Sequence, residues 1–285
     1  MDDWPTGRIE RPHRLVRRVL APNPSPFTFT GTQTFIVGER EVALIDPGPD
    51  DPVHVAALLA AVEGERVAAI VCTHTHRDHS PASRPLAAAT GAPIVGCAAL
   101  AIEDAGPRAD AAFDFHYAPD RVLGDGETLE GAGWTLEAVA TPGHTSNHLC
   151  FALAGTGILF TGDHVMGWST TIVSPPDGDM TDYMASLELL LARNDSAYFP
   201  AHGPPIDDPR DHVAGLIAHR RMRERQILAE LDSGERRIEA MVPRLYADID
   251  PRLHPAAARS VLAHLVDLER RGLVAGEGEQ WTRTG

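Results

Sequence analysis

Lysine is absent from this chain of 285 residues: all 25 basic side chains are arginine, set against 40 acidic ones for a formal net charge of −15. So negative a surface opposes nonspecific attraction to phosphate backbones, and DNA is not an expected partner, although a local basic patch can persist within an acidic whole. Cysteine is scarce, with only Cys72, Cys97 and Cys150, each in an apolar setting. An odd, sparse set is no disulfide framework and fits a reducing, cytoplasmic setting. No apolar run approaches the ~18–20 residues that a membrane span needs, so no membrane association is expected. The opening stretch MDDWPTGRIERPHRL has acids at its tip and no apolar stretch of the kind a secretory signal carries. What remains is ordinary for a folded protein, 43% hydrophobic and 23% charged, which excludes a largely disordered chain.

The pattern along the chain is mixed α/β. Residues 1–30 are rich in Arg and Pro, and Ala21–Pro26 is extended because each proline drives its predecessor out of the α region. Thr32–Val37 and Glu41–Asp46 predict a hairpin, and Asp51-Pro52 opens an Ala/Leu-rich helix to about Val62. Val67–Cys72 is a short apolar run and predicts a buried strand. A helix over Pro81–Ala89, a strand at Pro93–Gly96 and a helix near Ala98–Asp104 follow. Strands return between Arg121 and Ala140, then as a hairpin of Leu149–Leu153 with Ile158–Thr161, before a helix over 181–193 and a strand at Ala197–Phe199. Two groups of strands with helices between them predict two packed sheets with helices outside. After Pro209 come a long Arg-rich helix, two shorter ones and a glycine-turned ribbon, a winged-helix-like arrangement. The expected division is 1–210 for a catalytic domain and 211–285 for the appendage.

Histidine is what the chain has in plenty, 14 in all. Thr73-His74-Thr75-His76-Arg77-Asp78-His79 follows the buried strand directly, a composition ill suited to a core. Imidazole and carboxylate suit Zn²⁺ and its neighbours, and alternation on an extended segment puts His74 and His76 on one face. Asp78 and His79 sit where the chain turns into the next helix and can address a second location. Three further strands each end in a turn and a ligand-type residue: His144 in Thr-Pro-Gly-His-Thr, Asp163 in Thr-Gly-Asp-His, and His202 in Pro-Ala-His-Gly. Singly each reads as a loop residue; together with the first loop they predict one metal site along a sandwich edge.

With these motifs the sequence resembles the metallo-β-lactamase superfamily, whose hallmark is His-x-His-x-Asp-His followed by single His, Asp and His ligands. The resemblance implies an α/β fold, an αββα sandwich, over about residues 30–205. It implies that His74, His76 and His144 hold one metal, that Asp78, His79 and His202 hold a second, and that Asp163 bridges both. LFTGDHVMGWSTTIVSPPDGDMTDYMASLELL, YFPAHGPPI and HRRMRERQIL are similar to the β-lactamase-like protein 2 group, which also carries a C-terminal winged-helix-like domain and includes single-strand endoribonucleases. Gln33 stands where that group has Asn in a Gly-Thr-Asn-Thr segment, and it bears on substrate identity if it lines the pocket.

The expected chemistry is that of a dinuclear metal-dependent hydrolase, with zinc the first choice and iron or manganese alternatives. Two ions sharing Asp163 share a bridging hydroxide, because metal binding brings the pKa of water from near 16 to about 7. Asp78 and Asp163 are therefore the catalytic carboxylates. Two ions outweigh Asp78, Asp163 and a hydroxide in charge, so anionic substrates suit the site. The substrate expected is a small-molecule ester, thioester or lactone; a single-strand endoribonuclease acting on RNA is the alternative, and a non-catalytic metal-stabilised binding protein a second. His148 and His164 adjoin ligand positions and read either as contacts to ligands or substrate or as incidental loop residues. Trp168 reads as a substrate platform or a packed surface aromatic. The run His219, Arg220, Arg221, Arg223 and Arg225 reads as a solvated helix face or as an RNA-backbone contact.

Overall fold

The computed structural model describes residues 5–101 and 113–284. One sheet has seven strands in the order β1 (Ile9–His13), β2 (Val16–Leu20), β3 (Gln33–Glu39), β4 (Glu41–Ile45), β5 (Arg66–Cys72), β6 (Ile94–Gly96) and β7 (Arg121–Val122). Strands β1 to β4 are antiparallel neighbours, while β4 to β7 run parallel. Helix α1 (Pro52–Ala61) connects β4 to β5 and α2 (Ser83–Thr90) connects β5 to β6. Asp51 starts α1 by accepting hydrogen bonds from the Val53 and His54 amides, both at 2.9 Å, with Pro52 in the first turn.

The second sheet contains β8 (Thr128–Gly131), β9 (Trp134–Ala140), β10 (Leu149–Leu153), β11 (Ile158–Gly162) and β12 (Ala197–Pro200), in the order β12-β11-β10-β9-β8. Helix α3 (Met180–Ala192) precedes β12 and α4 (Pro209–Asp232) follows it. Alternation along the strands builds three layers of core from one set of residues. Phe35, Val37, Ala43 and Ile45 face Leu136, Ala138, Phe151 and Phe160 between the sheets. Ile36, Val42 and Leu44 face α1 and α2 on one outside. Val139, Cys150, Leu159 and Tyr198 face α3 and α4 on the other. The result is the expected αββα sandwich.

Phe160 lies 5.1 Å from Phe35 and 5.9 Å from Phe199, ring centre to ring centre. This trio closes the inter-sheet core two residues from the end of β11. Phe160→Ala empties a fully packed position and is expected to lower stability by about 3–5 kcal/mol, read from urea unfolding.

Two regions depart from the sequence expectations. The Arg-rich start forms β1 and β2, and the arginines that disguise β2 have specific partners. Arg17 donates to the Ala61 carbonyl and to Glu65, and Arg18 to Glu10 and Gln33. Strand β2 thus buries Val16, Val19 and Leu20 while holding its charges at both faces. The helix expected near Ala98–Asp104 is not formed over 98–101, and the rest of that segment lies outside the described residues.

Helix α4 belongs to two cores. Val213, Leu216 and Ile217 pack with α3, and Ile227 and Leu231 pack with α5 (Ile238–Leu245), α6 (His254–Arg270) and the ribbon of β13 (Val274–Glu277) and β14 (Gln280–Arg283). This winged-helix unit is joined to the sandwich by a continuous helix. Among the described residues, no helix is long and apolar enough to cross a membrane.

Candidate metal centre

Strands β5, β9, β11 and β12 all end at the same rim, and the sequence-predicted residues come together there. His74, His76, Asp78 and His79 occupy the turn after β5, His144 the loop after β9, Asp163 the turn after β11 and His202 the turn after β12. Two groups result: His74, His76, His144 and Asp163, then Asp78, His79, Asp163 and His202, each with ligand-type atoms within 4.8 Å of one another. In the first, His76 Nδ1 lies 3.0 Å from His74 Nε2 and 3.1 Å from His144 Nε2. Asp163 Oδ2 stands 3.7 Å from His144 Nε2 and 4.0 Å from His74 Nε2. In the second, His202 Nε2 is 3.1 Å from Asp78 Oδ2 and 3.3 Å from Asp163 Oδ1, and His79 Nε2 is 3.4 Å from Oδ2 of both carboxylates.

These residues fit a pair of divalent ions. Tetrahedral coordination at about 2.0–2.1 Å places ligand atoms roughly 3.3 Å apart, close to the spacings observed. His79 Nε2, Asp78 Oδ1 and Asp163 Oδ1 are buried and form no hydrogen bond among the described residues, a costly state for polar atoms unless something else satisfies them. Five imidazoles and two carboxylates around one small opening, at the edge of an otherwise apolar core, have no account as packing.

The far side of four of these rings is held, which aims the near nitrogen inward. His144 Nδ1–H donates to the Ile172 carbonyl at 2.7 Å and His202 Nδ1–H to the Gly31 carbonyl at 3.2 Å. His79 Nδ1 bonds to Asp46 Oδ2 at 3.1 Å, and His74 Nδ1 to the Thr73 hydroxyl at 2.9 Å. That hydroxyl donates to the same Asp46 carboxylate, which also accepts from the Thr73 amide, each at 2.8 Å. Asp46 thus braces His79 directly and His74 through Thr73. Its backbone has φ +50, a left-handed conformation that Asp tolerates better than most residues and that these bonds stabilise.

Asp46 was not singled out from sequence, where Asp-Pro-Gly marks only the end of β4. The signal lay in adjacency: β4 pairs in parallel with β5, so the residue that follows it, Asp46, stands beside the histidine turn. Asp46→Ala is expected to weaken divalent-metal affinity by about 10–100-fold, measured by chelator competition.

Electrostatics divide the imidazoles. Burial and the neighbouring His79 and His76 hold the His74 pKa well below the usual range, so it is neutral. At His202 burial works against the charge, yet the Asp163 and Asp78 carboxylates prevail and the pKa stands at about 10. His79 is likewise raised, its burial outweighed by Asp78, Asp163 and Asp46. The carboxyls of Asp78 and Asp163, buried but beside these cations, are pushed well below the ordinary carboxylate range.

The remaining candidates sit around this rim. His148 is buried, bonded through Nδ1 to the Thr141 hydroxyl at 2.9 Å, and its Nε2 accepts from the Asp163 amide at 3.3 Å. That approach depends on Gly162, at φ +49, where an added Cβ would stand 2.7 Å from His148 Nε2. His164 is fully buried against Tyr183, 4.7 Å between ring centres, and burial takes its pKa down to about 3. Gln33 is buried behind His202: its amide donates to the Pro200 and Gly203 carbonyls at 3.1 and 2.7 Å, and its carbonyl accepts from Arg18 at 2.9 Å. Trp168 stacks on Phe29 at 5.0 Å and lines a cleft beside the metal rim.

The residues that converge here and the sandwich that positions them have clear relatives. Residues 27–202 match the sequence profile of the metallo-beta-lactamase superfamily, and 238–281 that of the beta-lactamase associated winged helix domain. The chain belongs to the metallo-β-lactamase superfamily. It is similar to a Caenorhabditis elegans protein named Beta-lactamase-like protein 2 homolog, 33% identical over 93% of this chain and 88% of that one. It is also similar to an Aspergillus fumigatus protein named Atrochrysone carboxyl ACP thioesterase, 31% identical over 87% of this chain and 79% of that one. The crystal structure of a metallo-beta-lactamase family protein from Thermus thermophilus shares the fold, with a TM-score of 0.79, 24% identity and coverage of 95% of this chain and 99% of that one. Within the superfamily this chain is a metal-dependent hydrolase, with His/Asp sites for divalent ions and a winged-helix domain at its C-terminal side.

Proposed function

We propose that the protein hydrolyses a small-molecule acyl thioester with two divalent ions, zinc by preference. His74, His76 and His144 would hold one ion, Asp78, His79 and His202 the other, and Asp163 both. Five imidazole nitrogens and two carboxylates suit zinc, and iron or manganese fit the same donor set. Bound there, two such ions supply water ionised near neutral pH and an electrophile for the substrate's carbonyl oxygen. The side chains of the chain do the rest. Asp163 and Asp78 set the spacing of the two ligand groups. Asp46, Ile172 and Gly31 keep the rings from turning. His148 fixes the Asp163 backbone. Phe27, Met166 and Ile172 wall the opening with apolar surface and limit access of bulk water.

The observation that carries the substrate reading is the cleft that continues from that opening. It shares Phe27, Met166 and Ile172 with the metal rim, has a volume of about 220 Å³, and is closed on its far side by α4, the segment between α5 and α6, and α6. Its walls are largely apolar, which favours a compact acyl group over a polynucleotide strand, as does the net charge of −15. The relative named a thioesterase supports the same class. In this reading residues 1–210 carry the chemistry and 211–285 close the cleft. Three buried free cysteines, with Cys97 and Cys150 pushed by burial up to about 12, are unreactive and fit a cytoplasmic protein.

A matched panel tests the proposal: an acyl thioester, its oxygen ester, a lactone and labelled single-stranded RNA, each with the wild type and Asp163→Asn. Thioester hydrolysis that disappears in the variant is expected. RNA cleavage that disappears in the variant, with no thioester turnover, would replace this reading by the endoribonuclease.

A further inference from the structure

The run of basic residues in α4 does not form one solvated face. Arg221 pairs with Glu188 on the outside, whereas Arg220 and Arg223, three residues apart and so on one side of the helix, are 2% and 7% exposed. Both line the cleft that opens onto the metal rim. Arg220 donates to the Thr171 carbonyl and lies 5.1 Å over the Tyr183 ring. Arg223 donates to the Leu245 carbonyl and to Gln226, and lies 3.9 Å over the Tyr246 ring. Among the described residues neither meets a carboxylate, and Nε of each is buried without a hydrogen bond. His219, lining the same cleft, also has an unpartnered Nδ1, and burial together with Arg220 and Arg223 lowers its pKa to about 4. Two buried cations with no carboxylate partner are disfavoured, and a planar guanidinium is the side chain best matched to an oxyanion.

We propose that Arg220 and Arg223 form an anion-binding subsite in this cleft, which seats a carboxylate or phosphate carried on an apolar body while the scissile bond lies at the metal rim. The subsite rests on the thioesterase reading for the bond that is cleaved, but not for the binding itself. The apolar walls take the body, with Trp168, Ile249 and Leu253 among them, and the two guanidiniums take its charge. Position in the chain ties the subsite to the centre. Arg220 holds the carbonyl of Thr171, and the next carbonyl, that of Ile172, holds the metal-site residue His144. Both inward arginines stand on α4, so the C-terminal region supplies charge recognition to a site whose metal-ligand candidates all lie before residue 203.

The test is a binding titration of the metal-loaded full chain with benzoate, phenyl phosphate and the neutral benzyl alcohol, repeated on Arg220→Gln, Arg223→Gln and the outward-facing control Arg221→Gln. At least one anion is expected to bind about tenfold or more tighter than the alcohol, and to lose about tenfold in each inward variant but not in Arg221→Gln. Benzoate against phenyl phosphate identifies which oxyanion the subsite prefers. Anion binding that persists unchanged in both inward variants belongs to the metals and overturns the subsite, as does a wild type that fails to distinguish either anion from the alcohol. That second comparison needs no variant and stands even where an arginine substitution impairs folding. Binding of a single-stranded oligoribonucleotide alone, lost in the same variants, would overturn the subsite and assign the arginines to RNA instead. Thioester turnover, measured separately, decides the parent reading without reference to these probes.

Discussion

Asp163→Ala is expected to abolish turnover, by roughly 10³-fold or more, and to remove at least one metal ion while the fold persists. The magnitude follows from position. Removing a single donor at a reacting centre costs about 10²–10³-fold, and Asp163 is shared by both ligand groups. The fold is expected to survive because the Asp163 side chain lies at the rim, with the inter-sheet core below it. Asp163→Asn keeps the shape and removes the charge. If loss of charge is what matters, it behaves like the alanine variant in metal content and activity, with a melting curve close to wild type. Two tightly bound ions in either variant would remove the shared carboxylate from the account.

Metal affinity is expected to rise steeply with pH. In the metal-free protein His202 titrates at about 10 and His79 is also raised, so both carry protons at neutral pH. An imidazole binds a metal only in its neutral form, so each ring gives up a proton when the ion binds. Below the ring's own pKa, each displaced proton adds about tenfold to the affinity per pH unit. The His202 proton alone predicts about 10²-fold tighter binding at pH 8 than at pH 6, and the raised His79 steepens the rise. The same pKa values have a consequence for stability. Raised relative to the unfolded chain, they stabilise the metal-free fold fully below about pH 6.5, and the contribution is lost as pH climbs towards about 10. Calorimetric titration in buffers of different ionisation heat counts the protons. Binding that releases none at pH 7 would contradict the assignment of these two rings.

The seven residues of the centre were legible in the sequence because the chemistry is unusual where they stand. Histidine and aspartate at the ends of apolar strands serve no packing purpose, and strands β5, β9, β11 and β12 each deliver them at the same end. The sandwich was legible for a related reason: short, nearly continuous apolar strands in two groups with helices between them need cover on both faces. What stayed hidden depends on contacts between distant segments. Strand β2 was hidden in a start rich in Arg and Pro because the partners of Arg17 and Arg18, Glu65 and Gln33 among them, lie in other segments. Asp46 looked like a turn residue because its partners, Thr73 and His79, lie in the turn after a neighbouring strand. Arg220 and Arg223 looked like part of a solvated stripe because only the packing of α4 against α3, α5 and α6 decides which arginines face inward.

Anomalous diffraction from crystals of the metal-loaded protein tests the central claim most directly. Two peaks are expected at the rim, about 3.5–4 Å apart, with His74, His76 and His144 around one, Asp78, His79 and His202 around the other, and Asp163 touching both. A single peak, or ions bound elsewhere with the seven side chains left facing each other, would contradict it.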